Sequence, residues 1–323
     1  MTKPEIVLVT PALAEANNGN WRTAQRWARL LGEDYRVRLV SSWTEGDEPG
    51  LAAVAMIALH ARRSAAAIRA WRDAFPQRPL LVVLTGTDLY RDIAVDALAL
   101  RSIELADRLV VLNELGLLAL PNVLRAKASV CLQSSPARQA LPKTARHLRA
   151  LMVGHLREEK CPQTYHAAAA RLADRRDILL DHIGDALDPT LGAAAAACAR
   201  QNPRYRWLGG LKHGAVRRHI QRAHVLVHAS RMEGGAQVLT EAITSGTPVL
   251  ASRIDGNLGL LGADYGGYFD VGDSEALAHL LRLCRDDAAM LSSLQTQCDA
   301  RAALFSPAQE RRTLLNLLVT LMA

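Results

Sequence analysis

Short apolar runs alternate with longer stretches of helical periodicity along the whole chain. In the first half this pattern predicts strands at Ile6–Thr10, Arg36–Val40, Ala53–Leu59, Leu80–Leu84, Arg108–Leu112 and Ala128–Leu132. Helices are predicted over Trp21–Leu31, Ser64–Phe75, Ile93–Ala106 and Glu114–Leu120. The segment from Gln133 to Arg149 carries Pro136 and Pro142 and no clear period, and reads as a connection. Strands then resume at Ala150–Val153, Ile178–Ile183, Tyr205–Leu208, Val225–Ala229 and Val249–Ser252. Strands separated by helices form βαβ units and parallel sheets. The expectation is an α/β fold of two Rossmann-like, doubly wound domains facing an inter-domain cleft, with ligands bound beyond the carboxyl ends of the strands.

Composition supports this picture. A chain of 323 residues exceeds what a single core usually spans. Half of the residues are hydrophobic and only 4% aromatic, which suits Ala-, Leu- and Val-rich helices packed on parallel strands. No apolar run approaches the roughly 18 residues needed to span a bilayer. Met1-Thr2-Lys3-Pro4 leads straight into a strand, so no signal peptide is expected. Five dispersed cysteines, none in a Cys-x-x-Cys pair, read as free thiols in a reducing compartment, and the expected location is the cytoplasm. The net charge of +7 favours anionic ligands. Arginines such as Arg62, Arg63, Arg69 and Arg72 are spread over helix faces without an aromatic–basic platform, which argues against nucleic acid. No membrane association and no obligatory protein partner are expected.

The most informative stretch is Glu233-Gly234-Gly235-Ala236-Gln237-Val238-Leu239-Thr240-Glu241. It follows the apolar Val225-Leu226-Val227 and leads into a helix ending near Ser245-Gly246-Thr247-Pro248. Glu233 and the backbone N–H groups of Gly234, Gly235 and Ala236 are thereby expected at a helix mouth suited to phosphate. Glu241 is expected about two turns along the helix at about 3.6 residues per turn. One carboxylate can then reach a sugar and the other a ribose diol. The competing reading is a Glu complementing the helix dipole and a second, solvated Glu.

Two loops of the first half end strands with polar residues. Asn17-Asn18-Gly19-Asn20-Trp21-Arg22-Thr23-Ala24 follows the first strand, where Gly19 permits close backbone approach and Asn20 or Thr23 can cap or donate. An ordinary capped turn is the alternative. Leu84-Thr85-Gly86-Thr87-Asp88-Leu89-Tyr90-Arg91-Asp92 follows a wholly apolar strand. Polar groups there are costly unless exposed or paired. Thr85, Thr87 and the Gly86 amide can donate to an anion, Arg91 can neutralise it and Asp88 can accept hydroxyls; the alternative is a capping Asp.

From Leu151 to Asp287 the chain resembles the retaining GT-B glycosyltransferases of family four. The resemblance rests on Met152-Val153-Gly154-His155-Leu156-Arg157-Glu158-Glu159-Lys160, His182-Ile183-Gly184, Trp207-Leu208-Gly209-Gly210, the Glu233 to Glu241 stretch and Val249-Leu250-Ala251-Ser252, all in family order. It implies that Lys160 grips the donor diphosphate. The family's arginine position is occupied by His155, and Arg157 is the neighbour placed to supply the missing charge. It also implies that the Gly19–Asn20 loop touches the donor phosphate and that His213 lies at the uracil. His224 and His228 read as structural; His182 stands beside the cleft. The family's histidine near Asp88 is absent from this loop.

A narrower resemblance, to the bacterial selenosugar synthases of selenoneine biosynthesis, is carried by the Gly19 loop, the Thr85–Asp92 loop, the Gly154–Lys160 segment and Ser230-Arg231-Met232-Glu233-Gly234-Gly235-Ala236. It implies a UDP-sugar donor, UDP-N-acetylglucosamine foremost, and selenophosphate as acceptor, with no cofactor and no metal. Arg22, Thr23, Thr85, Gly86, Thr87, Asp88, Arg91 and Arg231 would hold the acceptor. His155, Arg157, Lys160 and the Gly234-Gly235-Ala236 mouth would meet the departing UDP, with Glu233 on the sugar and Glu241 on the ribose. Glu233, Lys160 and Arg157 would carry catalysis. The implied domains are 1–148 on the acceptor side, 149–305 for the nucleotide-sugar, and a final helix at 306–323, beginning at Ser306-Pro307, that packs back on the first domain or else forms a dimer. The alternatives are a conventional glycosyltransferase with a metabolite, glycan or lipid acceptor, a UDP-sugar epimerase, and a non-catalytic nucleotide-sugar binder. The presence of Glu233, Glu241 and Lys160 together weighs against the last.

Overall fold

The computed structural model describes residues 3–11, 19–46 and 52–322. The chain divides into two compact units. The first comprises the chain up to Ser134, the short segment Glu233–Gly235 and everything from Pro307; the second comprises Ser135–Met232 and Ala236–Ser306.

In the first unit β1 (Glu5–Val9), β2 (Arg36–Val40), β3 (Ala55–Leu59), β4 (Leu80–Leu84), β5 (Arg108–Val111) and β6 (Ala128–Val130) form one sheet in the order β2-β1-β3-β4-β5-β6. Every pairing is parallel. Because βαβ crossovers cover both faces of such a sheet, its central strands are near-continuous apolar runs, the buried Glu5 at the start of β1 being ion-paired with Arg36 and Arg38. β1, β3 and β4 are buried throughout. Successive side chains alternate between faces. Val7, Val9, Met56, Ala58, Val82 and Leu84 pack with Trp43, Ile68 and Trp71 on one side. Ile6, Leu8, Ile57, Leu59, Leu81 and Val83 pack with Trp27, Leu31, Leu314 and Leu318 on the other.

Leu314 and Leu318 belong to the final helix, Pro307–Met322. One turn before them on the same face stands Glu310, 1% exposed. A carboxylate is tolerated there only if fully hydrogen-bonded. It accepts from Arg26 Nε at 2.8 Å, Trp27 Nε1 at 2.7 Å and the Ser134 N–H at 2.9 Å.

The second unit repeats the plan with β7 (Leu148–Val153), β8 (Ile178–Ile183), β9 (Tyr205–Trp207), β10 (Val225–His228), β11 (Val249–Ser252) and β12 (Tyr268–Phe269). Their order is β12-β11-β10-β7-β8-β9, again parallel. The direction of winding therefore reverses between β7 and β10, where open α/β sheets bind ligands. Asp181, buried on β8, is held between Arg149 at 2.6 Å and Arg206 at 2.8 Å.

Three local departures from expectation have clear causes. The predicted helix Ile93–Ala106 is interrupted at Asp96, whose extended backbone lets its carboxylate cap a new helix, Ala97–Leu105, by accepting from Leu98 N and Ala99 N. Glu114–Ala119 winds as a 3₁₀ segment. The two-residue β12 carries too little periodicity to be predicted.

Removing the Glu310 carboxylate should leave buried Arg26 without its counter-ion. Glu310→Ala is expected to lower stability by about 3–5 kcal/mol, measured as a denaturation midpoint; a loss below about 1 kcal/mol would show the network to be dispensable. Burial also pushes the His182 imidazole down to about 3 and that of His166 to about 4, and lowers His60 and His224. The unfolded chain takes up these protons first, near pH 6.5, so their contribution is complete above that value and declines as pH falls toward the folded values. Asp177, held at about 2 by Arg175, acts in the same direction only below its ordinary 3.8. The thermal midpoint should therefore drop steadily between about pH 6.5 and 4.5; a flat profile over that window would contradict the assignment of neutral, buried histidines.

Candidate functional site

Each unit carries its own group of the residues singled out above. In the second unit β7 stops at Val153 and the chain continues through Gly154, His155, Leu156 and Arg157 into a 3₁₀ turn, Glu158–Lys160, and the helix Pro162–Arg171. Leu156 is fully buried, and its N–H donates to Asp185 O at 2.8 Å, which anchors the loop beside the end of β8. Lys160 turns back so that its stem lies over Gly154, where a Cβ would stand 3.4 Å from Lys160 Cδ. His155 Nδ1 accepts from the Asp185 N–H at 3.1 Å, so a neutral ring carries its proton on Nε2. Arg157 is exposed, with Nε 3.9 Å from Glu159.

Arg231, three residues beyond β10, ties this loop to the switch point. Its N–H donates to Glu159 O at 2.9 Å, its guanidinium to Glu158 at 2.7 Å, and its Nε lies 3.3 Å from Cys161 Sγ. It thus stands with Lys160 rather than with the other residues expected at the acceptor. Lys160, Arg157 and Arg231 stand at the carboxyl end of β7 interleaved with Glu158, Glu159 and Asp185, so the loop carries basic groups that a phosphorylated ligand can recruit from their carboxylate partners.

Elsewhere in this unit His213 Nε2 meets Glu241 Oε1 at 2.7 Å. Glu241 is 6% exposed. It sits one turn into the helix Gln237–Ile243, not two, because residues 233–236 are non-helical and Ala236 is the cap. One turn after His213, the buried Arg217 donates to Ser135 Oγ, to Pro136 O at 3.0 Å and to Ser245 Oγ at 3.0 Å. Sequence reasoning missed this arginine. The available signal was a cation between Val216 and Ile220 on the apolar face of the helix His213–Arg222.

In the first unit Gly19 and Asn20 open the helix Gly19–Leu31; Asn17 and Asn18 lie outside the described residues. Arg22 is half-buried. Thr23 is 3% exposed, its hydroxyl 3.0 Å from Gly19 O and 2.6 Å from the Gln133 amide, which places it in the interior of the unit. Asp88 is wholly buried. Oδ1 accepts from the Thr85 N–H at 2.8 Å and the Gly86 N–H at 2.9 Å, and Oδ2 from the Ala61 N–H at 3.0 Å. This differs from the expected arrangement: the oxygens expected to accept ligand hydroxyls receive backbone N–H groups, and the Gly86 amide is directed at Asp88. Asp88 braces the turn, leaving Thr85 and Thr87 half-buried and Arg91 exposed with Nε 2.9 Å from Asp92.

The histidine absent from this loop in sequence arrives from a neighbouring strand. His60, one residue past β3 and 2% exposed, holds a left-handed backbone with φ of 71°. Its Nδ1 accepts from the Arg63 N–H at 3.4 Å, and its Nε2 lies 3.1 Å from Thr87 Oγ1. Only the parallel pairing of β3 with β4 brings the two together.

Glu233–Gly235 group with this unit. Gly234 O accepts from Asn113 Nδ2 at 2.7 Å, and a Cβ on Gly234 would fall 2.4 Å from Thr85 C, so only glycine fits against that strand end. Glu233 is half-buried.

Among the described residues no group of three or more His, Cys, Asp or Glu is placed to hold a metal ion, and no helix is long and apolar enough to cross a membrane. No curated protein matches the chain. Over nearly its whole length it is similar in structure to the sucrose-phosphate synthase of Thermosynechococcus elongatus (TM-score 0.78, 16% identity, 99% of each chain covered). HepE of Anabaena in complex with UDP-glucose is similar at a TM-score of 0.75 (15% identity, 98% of this chain and 99% of that one). A glycosyltransferase of Rickettsia africae follows at 0.71 (14% identity, 100% and 99%). Identities this low establish the GT-B fold alone. The family of glycosyl transferases group 1 matches residues 134–302, just over half of the chain. On that match the protein belongs to the glycosyl transferases group 1 family and is a glycosyltransferase.

Proposed function

We propose that the protein is a selenosugar synthase, joining selenophosphate to the anomeric carbon of a UDP-sugar, with UDP-N-acetylglucosamine the favoured donor. The observation that carries the donor half is the gathering of Lys160, His155, Arg157 and Arg231 at the carboxyl end of β7, the switch point of a Rossmann-like sheet. Structurally similar proteins support a uridine nucleotide: HepE is seen with UDP-glucose and TarM of S. aureus with UDP. The acceptor half rests on the sequence resemblance, supported by Arg22, Arg91 and the Thr85 and Thr87 hydroxyls of the first unit.

In this reading a selenium lone pair attacks the anomeric carbon, a C–Se bond forms, and the C–O bond to the diphosphate breaks with its electrons leaving on UDP. Hydrolysis of the Se–P bond by water then frees the selenosugar. Lys160, Arg157 and the His155 Nε2–H stabilise the charge that develops on UDP. Arg231 holds the turn that carries Lys160. Glu241, oriented by His213, binds the ribose, and Glu233 the sugar hydroxyls. A selenium anion is strongly nucleophilic without a general base. The cytoplasm remains the proposed location, and residues 1–148, 149–305 and 306–323 the proposed acceptor, donor and terminal segments. A second reading, transfer to a hydroxyl acceptor, draws on structural similarity to the pneumococcal O-GlcNAc transferase GtfA.

Incubation with selenophosphate and UDP-N-acetylglucosamine should yield UDP and a selenium-containing sugar by mass spectrometry; turnover of a carbohydrate acceptor with no selenium product would favour the second reading. Glu233→Ala and Lys160→Ala should each slow turnover by roughly 100-fold or more, whereas Arg91→Ala should chiefly raise the acceptor KM. Near-wild-type rates in the first two would mean the site lies elsewhere.

A further inference from the structure

Beyond the residues placed at the donor, a buried hydrogen-bonded chain runs beneath the loop that carries them. His182, fully buried on β8, has Nε2 3.3 Å from Gly154 O and Nδ1 3.0 Å from Tyr205 Oη. Tyr205 Oη in turn lies 3.0 Å from His166 Nε2. A carbonyl can only accept, so His182 carries its proton on Nε2 and its Nδ1 must accept from the Tyr205 hydroxyl. That hydroxyl has then used its one proton, so His166 donates to it from Nε2. Every tautomer in the chain is fixed by the Gly154 carbonyl at its end. Burial, which lowers both imidazoles, keeps them neutral at physiological pH.

The Gly154 carbonyl is held just as closely by sterics. A Cβ on Gly184 would stand 1.9 Å from Gly154 O, so the bare backbone of residue 184 is what admits that oxygen. The Gly154 N–H also donates toward β8, to Ile183 O at 2.9 Å. A trans peptide is planar, with its C=O and N–H pointing in opposite directions. Holding Gly154 O toward β8 therefore aims the His155 N–H toward β10, the other neighbour of β7 and the far side of the switch point. Two residues past the end of β10 stands Ser230, fully buried, with no hydrogen-bond partner for its hydroxyl.

We infer that His182, locked in one tautomer by Tyr205 and His166, is a positioning residue that fixes the Gly154–His155 peptide so that the His155 N–H is directed at the donor diphosphate. The inference rests on the donor reading above and adds a device to it. None of the three side chains touches the nucleotide; they act through one backbone amide. Their loss should weaken binding of the diphosphate and leave the nucleoside unaffected.

The test compares UDP and uridine binding by calorimetry in the full chain. Wild-type protein should bind UDP; absence of any UDP binding overturns both the donor reading and the relay. His182→Ala should weaken UDP roughly tenfold, the value of about one charge-assisted hydrogen bond of about 1.4 kcal/mol, without changing the uridine affinity or the KM for the acceptor. His182→Gln, which returns an N–H donor, should recover much of that loss. Tyr205→Phe, which leaves the ring in place and frees the tautomer, should weaken UDP by a smaller factor and serves if His182→Ala does not fold. UDP binding unchanged in both folded variants, or UDP and uridine weakened alike, would overturn the relay while leaving the donor reading intact.

Discussion

A parallel strand covered on both faces turns polar where it ends, or inside only where a partner is built in, as for Asp181 and His182 on β8, and that constraint governs the chemistry of this chain. β4 is Leu-Leu-Val-Val-Leu and buried throughout, and the residues that follow it are Thr85, Gly86, Thr87 and Asp88. β7 finishes with Leu151, Met152 and Val153 before Gly154 and His155. Polar side chains inside such strands lose water and need protein partners in its place, as Asp181 has in Arg149 and Arg206. The strand ends also leave backbone groups that the sheet no longer pairs, and those need partners or ligands.

The two units resolve that need differently. After β4, Asp88 gathers the loop's own amides, receiving Thr85 N, Gly86 N and Ala61 N. A carboxylate bonded to several backbone N–H groups makes a rigid turn, and the Thr85 and Thr87 hydroxyls are drawn into it, toward Asp88 and His60. After β7 no carboxylate plays this part: Asp185 meets His155 through its N–H. The loop is braced instead from below, through carbonyls, by Leu156 N to Asp185 O and by His182 to Gly154 O. The first loop gives its amides to one side-chain carboxylate, whereas the second gives Gly154 N and Leu156 N to carbonyls at the end of β8.

The strands and their order along the chain were legible because a buried parallel strand is a run of apolar residues that few other structures require. Gly154 and Lys160 were legible through the family resemblance, and the Glu233–Glu241 stretch by its glycine pair and charges after an apolar run. The placements that depended on pairing across the sheet were not. His60 follows Ala58-Leu59 with no local sign that Thr87 awaits it one strand away. Asp88 was readable as polar but not as satisfied, because one of its donors, Ala61 N, is distant in sequence. The two-turn placement of Glu241 assumed a helix from the glycine pair onward, whereas Gly234 packs against Thr85 and helical geometry begins only at Gln237.

The substitution of His155 where the family resemblance expects arginine bears on the proposed chemistry itself. An arginine would meet the leaving diphosphate with a permanent charge and a fork of donors. His155, with Nδ1 committed to the Asp185 N–H, offers one N–H from a ring that need not be charged. In the proposed reaction the charge on the leaving group falls mainly to Lys160, Arg157 and backbone amides. A hydroxyl nucleophile, weak until deprotonated, depends strongly on a well-stabilised leaving group, whereas a selenium anion brings its own driving force to bond formation. A donor site with one fixed charge fewer is adequate for the second and demanding for the first. On the other unit the histidine beside Asp88 comes from outside the loop, as His60, buried and held by the Arg63 N–H and Thr87.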